Sequence, residues 1–173
     1  MQTIKQFWNG FRLLPSAWLL LVQLALLILA TITYDDSAYR ALTWSLGVLA
    51  LLIIAKVIRQ TPVFAFWGLF FVSGAFIFSI LIFVGFDNHT IQITAYSFEA
   101  LAYFYAAYGL LRYMFSDRYL TKDELFAAGA VFTLIAWAFA FLYSICQIIL
   151  PNSFQNPNHP EALQRWLDLL FLS

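Results

Sequence analysis

The chain has 173 residues, of which 63% are hydrophobic and 10% charged, against about 25% charged in a typical soluble domain. Nine basic and nine acidic residues cancel, so no bulk field points to nucleic acid or to an acidic partner. Measured against a bilayer, where about 20 apolar residues cross a core about 30 Å thick, the composition predicts an all-α integral membrane protein with five crossings.

Met1 to Leu14 is amphipathic: Ile4, Phe7, Trp8, Phe11 and Leu14 recur at helical spacing among Lys5, Gln6, Asn9 and Arg12. That pattern predicts a short helix lying in the membrane interface over residues 1–14. Pro15 and Ser16 open the first crossing, which runs to about Tyr34 with Gln23 as its one strongly polar interruption. It is long for a signal-peptide core and lacks a small-residue cleavage site after it, so it reads as a retained span. After Asp35, Asp36 and Ser37, the second crossing covers about Arg40 to Ile58, with Trp44 and Lys56 at its interfaces. Pro62 starts the third, which reaches about Phe86 without a charge. Its small residues Gly68, Ser73, Gly74, Ala75 and Ser79 suit close helix contact.

Asp87, Asn88 and His89 form a turn, and the fourth crossing follows from about Ile91 to Phe115. It carries Glu99 and the tyrosines Tyr96, Tyr103, Tyr105 and Tyr108. These four crossings make up a region over 15–118. The remaining unit, 119–173, holds a fifth crossing from about Glu124 to Leu150, stopped by Pro151. A polar loop over 152–160 follows, and then a short helix that opens near Pro160 and Glu161. Thr121 reads as an N-cap with Glu124 three residues on, a capping-box pattern.

The basic residues set the orientation. Lys5, Arg12, Lys56, Arg59, Arg112, Arg118 and Lys122 fall on one side of a five-crossing arrangement, and only Arg40 and Arg165 on the other. Lys and Arg are retained on the cytoplasmic side. The expectation is a multi-pass protein of the inner membrane with a cytoplasmic N-terminus and an extracytoplasmic 152–160 loop.

Enzyme motifs are missing: there is no Gly-rich phosphate loop, CxxC, HExxH or GxSxG. No cofactor, no metal site and no buried constellation of polar residues is expected. The histidines, His89 and His159, fall in predicted loops, and the lone cysteine, Cys146, reads as a small buried apolar residue. The sharpest single position is Glu99. About eight residues into its crossing, it lies about 12 Å down at helical rise, where a lone acid is costly and faces protein or water. It can attract an ion, relay a proton or make a gating contact. It can equally be a hydrogen-bonded acid that fixes packing, with Arg40 or a tyrosine as partner. Voltage sensing does not fit, because the fourth crossing lacks a basic residue at every third position and offers only Arg112.

The run from Tyr119 through Phe154 resembles bacterial potassium-channel family proteins, in which several spanning helices precede a two-helix pore module. The likeness lies in TKDELFAAGAVF from Thr121, WAFAFLYSI from Trp137 and LPNSF from Leu150. RWLDLLFLS from Arg165 then looks like the start of the family's pore helix, over Trp166, Leu167, Asp168, Leu169, Leu170, Phe171, Leu172 and Ser173. The resemblance implies a re-entrant or interfacial pore-like helix here and a TVGYG-like filter beyond Ser173, with carbonyls that replace the hydration shell of potassium. It further implies a homotetramer around potassium ions. As it stands, the sequence reads as the membrane-embedded portion of such a channel, truncated before the filter. A non-conducting membrane scaffold or accessory subunit, and a small transporter, are the alternatives.

Overall fold

The computed structural model describes residues 15–32, 62–86, 88–115, 122–150, 153–154 and 166–171. Within them the chain is helical apart from turns and bends at the helix ends, with no strand. The five helices are α1 (Pro15–Ile32), α2 (Pro62–Phe83), α3 (His89–Met114), α4 (Lys122–Ile149) and α5 (Trp166–Leu170). The predicted amphipathic helix over 1–14 and the predicted second crossing, Arg40 to Ile58, lie outside the described residues.

Local chemistry sets the helix ends. Pro15 and Pro62 open α1 and α2, where a missing N–H costs nothing and the ring presets a helical φ. At the end of α2, Gly85 takes φ 105°. Its N–H reaches the Ile82 carbonyl at 3.1 Å, and the Phe86 N–H reaches the Leu81 carbonyl at 3.1 Å. This pair of bonds is a Schellman cap, and its left-handed position suits glycine. The Asn88 carbonyl takes the first bond of α3, from the Gln92 N–H at 3.0 Å. That makes Asn88 the N-cap residue and places His89 at the head of the helix rather than in a loop. Hydroxyls inside helices bond back to their own backbone, as Thr94 does to Thr90, Ser97 to Ile93, Thr133 to Gly129 and Ser144 to Ala140.

The helices pack in the order α2, α3, α4, α1, with α5 also against α4. Helix α3 carries two stripes. Ala100, Tyr103, Ala107 and Leu110 join the α4-centred core, whereas Ala102 and Phe98 pack with Ala75, Phe71 and Val72 of α2. Helix α4 buries Ala127, Ala130, Leu134, Trp137, Phe141 and Ser144, alternating four and three residues apart, the spacing of a helix seam. Aromatic rings fill the α3–α4 contact: Tyr103 stacks on Phe141 at 5.6 Å and meets Trp137 edge-on at 5.7 Å. Each such pair contributes about 1 kcal/mol beyond its area.

Cys146 is exposed, which corrects its expected burial. The seam through Phe141 and Ser144 turns position 146 to the far side of α4, and residue hydrophobicity alone does not reveal that phase. Ser73 is corrected as well. It is exposed and bonds the Phe70 carbonyl at 3.0 Å, so the small surface of α2 toward α3 comes from Gly74, Ala75 and Ser79.

Contacts along the helices fix their directions. Phe71 meets Tyr105 and Phe78 meets Phe98, so α2 and α3 are antiparallel. Tyr103 meets Trp137 and Tyr96 meets Phe141, so α3 and α4 are antiparallel. Ser16 meets Asp123 and Leu20 packs on Gly129, so α1 runs parallel to α4. Ile32 and Pro62 consequently lie at opposite ends of the bundle.

Among the described residues one helical stretch, residues 123–149, is long and apolar enough to cross a membrane by length and composition; Ser16–Ile28 and Phe66–Ile82 are shorter apolar stretches. Helix α3 has the length, at 26 residues, but Gln92, Glu99, Arg112 and its tyrosines dilute its apolar character.

Candidate functional site

Among the described residues, side-chain hydrogen bonds join α2 to α3 and α1 to α4. The first is the α2–α3 contact. Glu99 is on the edge of α3 between its two stripes. Ser79 of α2 is buried and donates its hydroxyl to Glu99 Oε1 at 3.0 Å. Tyr103, one turn further along α3, is fully buried. The partner of the acid is thus a hydroxyl of the neighbouring helix, not a tyrosine, and Arg40 is outside the described residues. Gly74 makes the close approach possible, because its missing side chain accommodates the Phe98 ring. That ring in turn stacks on Phe78 at 5.6 Å and meets Phe70 edge-on at 5.9 Å.

The second place is the α1–α4 contact. Asp123 is buried and accepts two bonds from Ser16, from its N–H at 3.2 Å and from its hydroxyl at 2.9 Å. One carboxyl group therefore caps a helix through a residue 107 positions earlier. Two parallel helices begin side by side here, and their positive ends repel; a carboxylate between them offsets that repulsion. The Thr121 capping box accounts for none of this, and Thr121 itself is outside the described residues. The only sequence signal is an acid at a helix start, a feature that a cap within α4 explains equally well.

Two turns up α1 from Ser16, Gln23 is fully buried, and among the described residues neither its amide nitrogen nor its oxygen has a hydrogen-bond partner. The heptad-like run Ser16, Leu19, Gln23 and Leu26 is the buried stripe of α1, so the amide faces inward among leucines. An unsatisfied buried amide costs about 1–3 kcal/mol. Gln23→Leu keeps the side-chain volume close and removes both orphan groups, so it raises stability by about 2 kcal/mol, read as a higher unfolding midpoint in micelles. A lower midpoint would mean that the amide has a stabilising partner.

Several polar residues are nonetheless buried in the bundle. Ser16, Gln23, Ser79, Asp123, Glu124, Ser144 and Gln147 are all buried. They are spread along the bundle, however, and the cross-helix bonds they make are local. Among the described residues no group of three His, Cys, Asp or Glu side chains is placed to hold a metal ion.

The residues read as a pore-helix start fall partly in α5. The backbone of Trp166, Leu167, Asp168, Leu169 and Leu170 is helical, and Phe171 is in the turn after it. Leu169 and Leu170 are buried, with Leu170 in the α4-centred core, whereas Asp168 and Phe171 are exposed. Leu172 and Ser173 lie outside the described residues. Before α5, Phe154 packs on Tyr143 of α4 at 5.5 Å, so the chain after α4 turns back along that helix.

Comparison with known proteins found no matching family model, no similar curated protein and no similar solved structure. The likeness to potassium channels therefore rests on the phrases of the sequence itself.

Proposed function

We propose that this chain is a multi-pass integral membrane protein of the inner membrane, and that α4, the loop after it and α5 are the outer helix and pore-helix start of a potassium-channel-like module. The observation that carries the pore reading is the return of the chain onto α4. A long apolar helix, a polar loop and a short helix whose leucines bury against the first are the parts from which such a module is built.

Three further features support the membrane setting. Helix α4 has the length and composition of a span. Large apolar side chains stand exposed along the helices, among them Phe66, Trp67, Leu69 and Phe70 on α2 and Leu125 and Phe132 on α4. In water such surface invites association, whereas lipid solvates it. Finally, Ile32 and Pro62 lie at opposite ends of the bundle, and 33–61 connects them. A second crossing within that stretch, as the apolar run from Arg40 to Ile58 suggests, satisfies this geometry and brings the number of spans to five.

On this reading the partners are the lipid bilayer, potassium ions and three further copies of the chain. The N-terminus is cytoplasmic and the 152–160 loop extracytoplasmic. The test is rubidium uptake by proteoliposomes that hold the full natural polypeptide, with the assembly state measured by cross-linking. Potassium-gradient-driven uptake that excludes sodium, by a tetramer, is the expected result. A folded protein without uptake would overturn it and favour the accessory-subunit reading.

A further inference from the structure

We propose that Glu99 and Ser79 form a proton-binding site between α2 and α3, separate from the α4–α5 unit. The geometry is that of a carboxyl held by one neutral donor. Ser79 gives its hydroxyl proton to Oε1 at 3.0 Å, and among the described residues no hydrogen bond reaches Oε2. That oxygen is the place where a proton is taken and released, with no other bond made or broken.

Among the described residues the surroundings supply no counter-charge. Helix α2 has no titratable or charged residue from Pro62 to Phe83. On α3 the groups nearest along the helix are the phenols Tyr96 and Tyr103, and its nearest basic residues, His89 and Arg112, are 10 and 13 positions away, about 15 and 20 Å at helical rise. From α4, Phe141 packs on both Tyr96 and Tyr103, and the titratable side chain closest to that level is Tyr143. An ionised carboxylate with a single hydroxyl donor and no cation is costly between apolar helices. The neutral acid is tolerated there. Binding of a metal cation is disfavoured by the poverty of the donor set: alkali and alkaline-earth ions take several oxygens, and among the described residues no second carboxylate joins Glu99 and Ser79 in a metal-binding group.

The position gives the site a consequence. Proton release creates a charge at the seam that joins α2 to α3, beside the Phe70, Phe78 and Phe98 cluster. Protonation and the packing of α2 against α3 are thereby linked, since whichever state binds the proton better is favoured by it. Glu99 is half-buried rather than sealed.

A hydrophobic carbodiimide tests this on the full protein in micelles. The reagent reacts with the protonated carboxyl of an apolar site: the acid O–H adds across one C=N bond, and the adduct rearranges to an N-acylurea that retains the whole reagent. Peptide mass mapping should place one reagent mass on Glu99, with the yield falling as pH rises. Ser79→Ala should shift the pH at which labelling is lost, and Glu99→Gln should remove that labelled peptide while the protein stays folded. An unlabelled Glu99 at every pH at which the protein is folded, or labelling that ignores pH, would overturn the proposal. Protection by sodium at constant pH would also overturn it, in favour of a metal-cation site. None of these results depends on rubidium uptake, so this site and the pore reading stand or fall separately.

Discussion

Asp123→Ala destabilises the bundle by about 3 kcal/mol, and α1 is the element that comes loose. The substitution removes one acceptor that serves two donors of Ser16, at 3.2 and 2.9 Å. Hydrogen bonds to a charged group are worth about 1.5–3 kcal/mol each, and donors left buried without an acceptor add their desolvation cost. It also withdraws the negative charge between two parallel helix starts, worth up to about 1 kcal/mol more. Among the helices described, α1 has its extensive contact with α4 alone, so this junction is where its N-terminal end is held. Hydrogen exchange should show protection lost across Ser16–Leu20 before any loss in α3. Asp123→Asn retains an acceptor oxygen and should recover about half of the deficit. An alanine variant that unfolds with the wild-type midpoint would show that the junction contributes nothing.

The same junction shows where sequence reasoning stops. The punctuation of the chain is local, and so it is readable. Pro15 and Pro62 open helices, the turn around Asn88 precedes α3, and Pro151 follows the end of α4. The pairing of Asp123 with Ser16 spans 107 positions, and that of Glu99 with Ser79 spans 20; neither leaves a local pattern. Helix phase is hidden for a related reason. A helix that is apolar on nearly every face carries no contrast between buried and exposed sides. Cys146 therefore reads as interior although it is exposed, and Gln23 reads as a mere interruption although it sits in the buried stripe of α1. Glu99 stands out because an acid in an apolar run is conspicuous anywhere. Its hydroxyl partner is one of several small residues on α2, and nothing local singles it out.

Gly74→Val drives α2 from α3 and costs about 3 kcal/mol, at the upper end of the usual overpacking penalty. A Cβ at position 74 would lie 2.5 Å from Cε1 of Phe98 and 3.0 Å from its Cγ, well inside van der Waals contact. The Phe98 ring cannot swing clear at low cost. Phe78 stacks against it, and Phe70 meets it edge-on, so moving it breaks two aromatic contacts of about 1 kcal/mol each. The helix itself gains from losing a glycine, by up to about 1 kcal/mol for Gly74→Ala, which makes the alanine variant the milder of the two. The discriminating measurement is a double-mutant cycle with Phe98→Leu. If the ring is the obstacle, the Gly74→Val penalty shrinks sharply in the Phe98→Leu background, giving a coupling of at least about 1 kcal/mol. An unchanged penalty would locate the strain elsewhere. The cycle also reaches the proton site: Ser79 lies a little more than one turn beyond Gly74 on α2. A gap opened at Gly74 lengthens the Ser79–Glu99 bond, so the pH at which the carbodiimide loses Glu99 should move in Gly74→Val and return with Phe98→Leu.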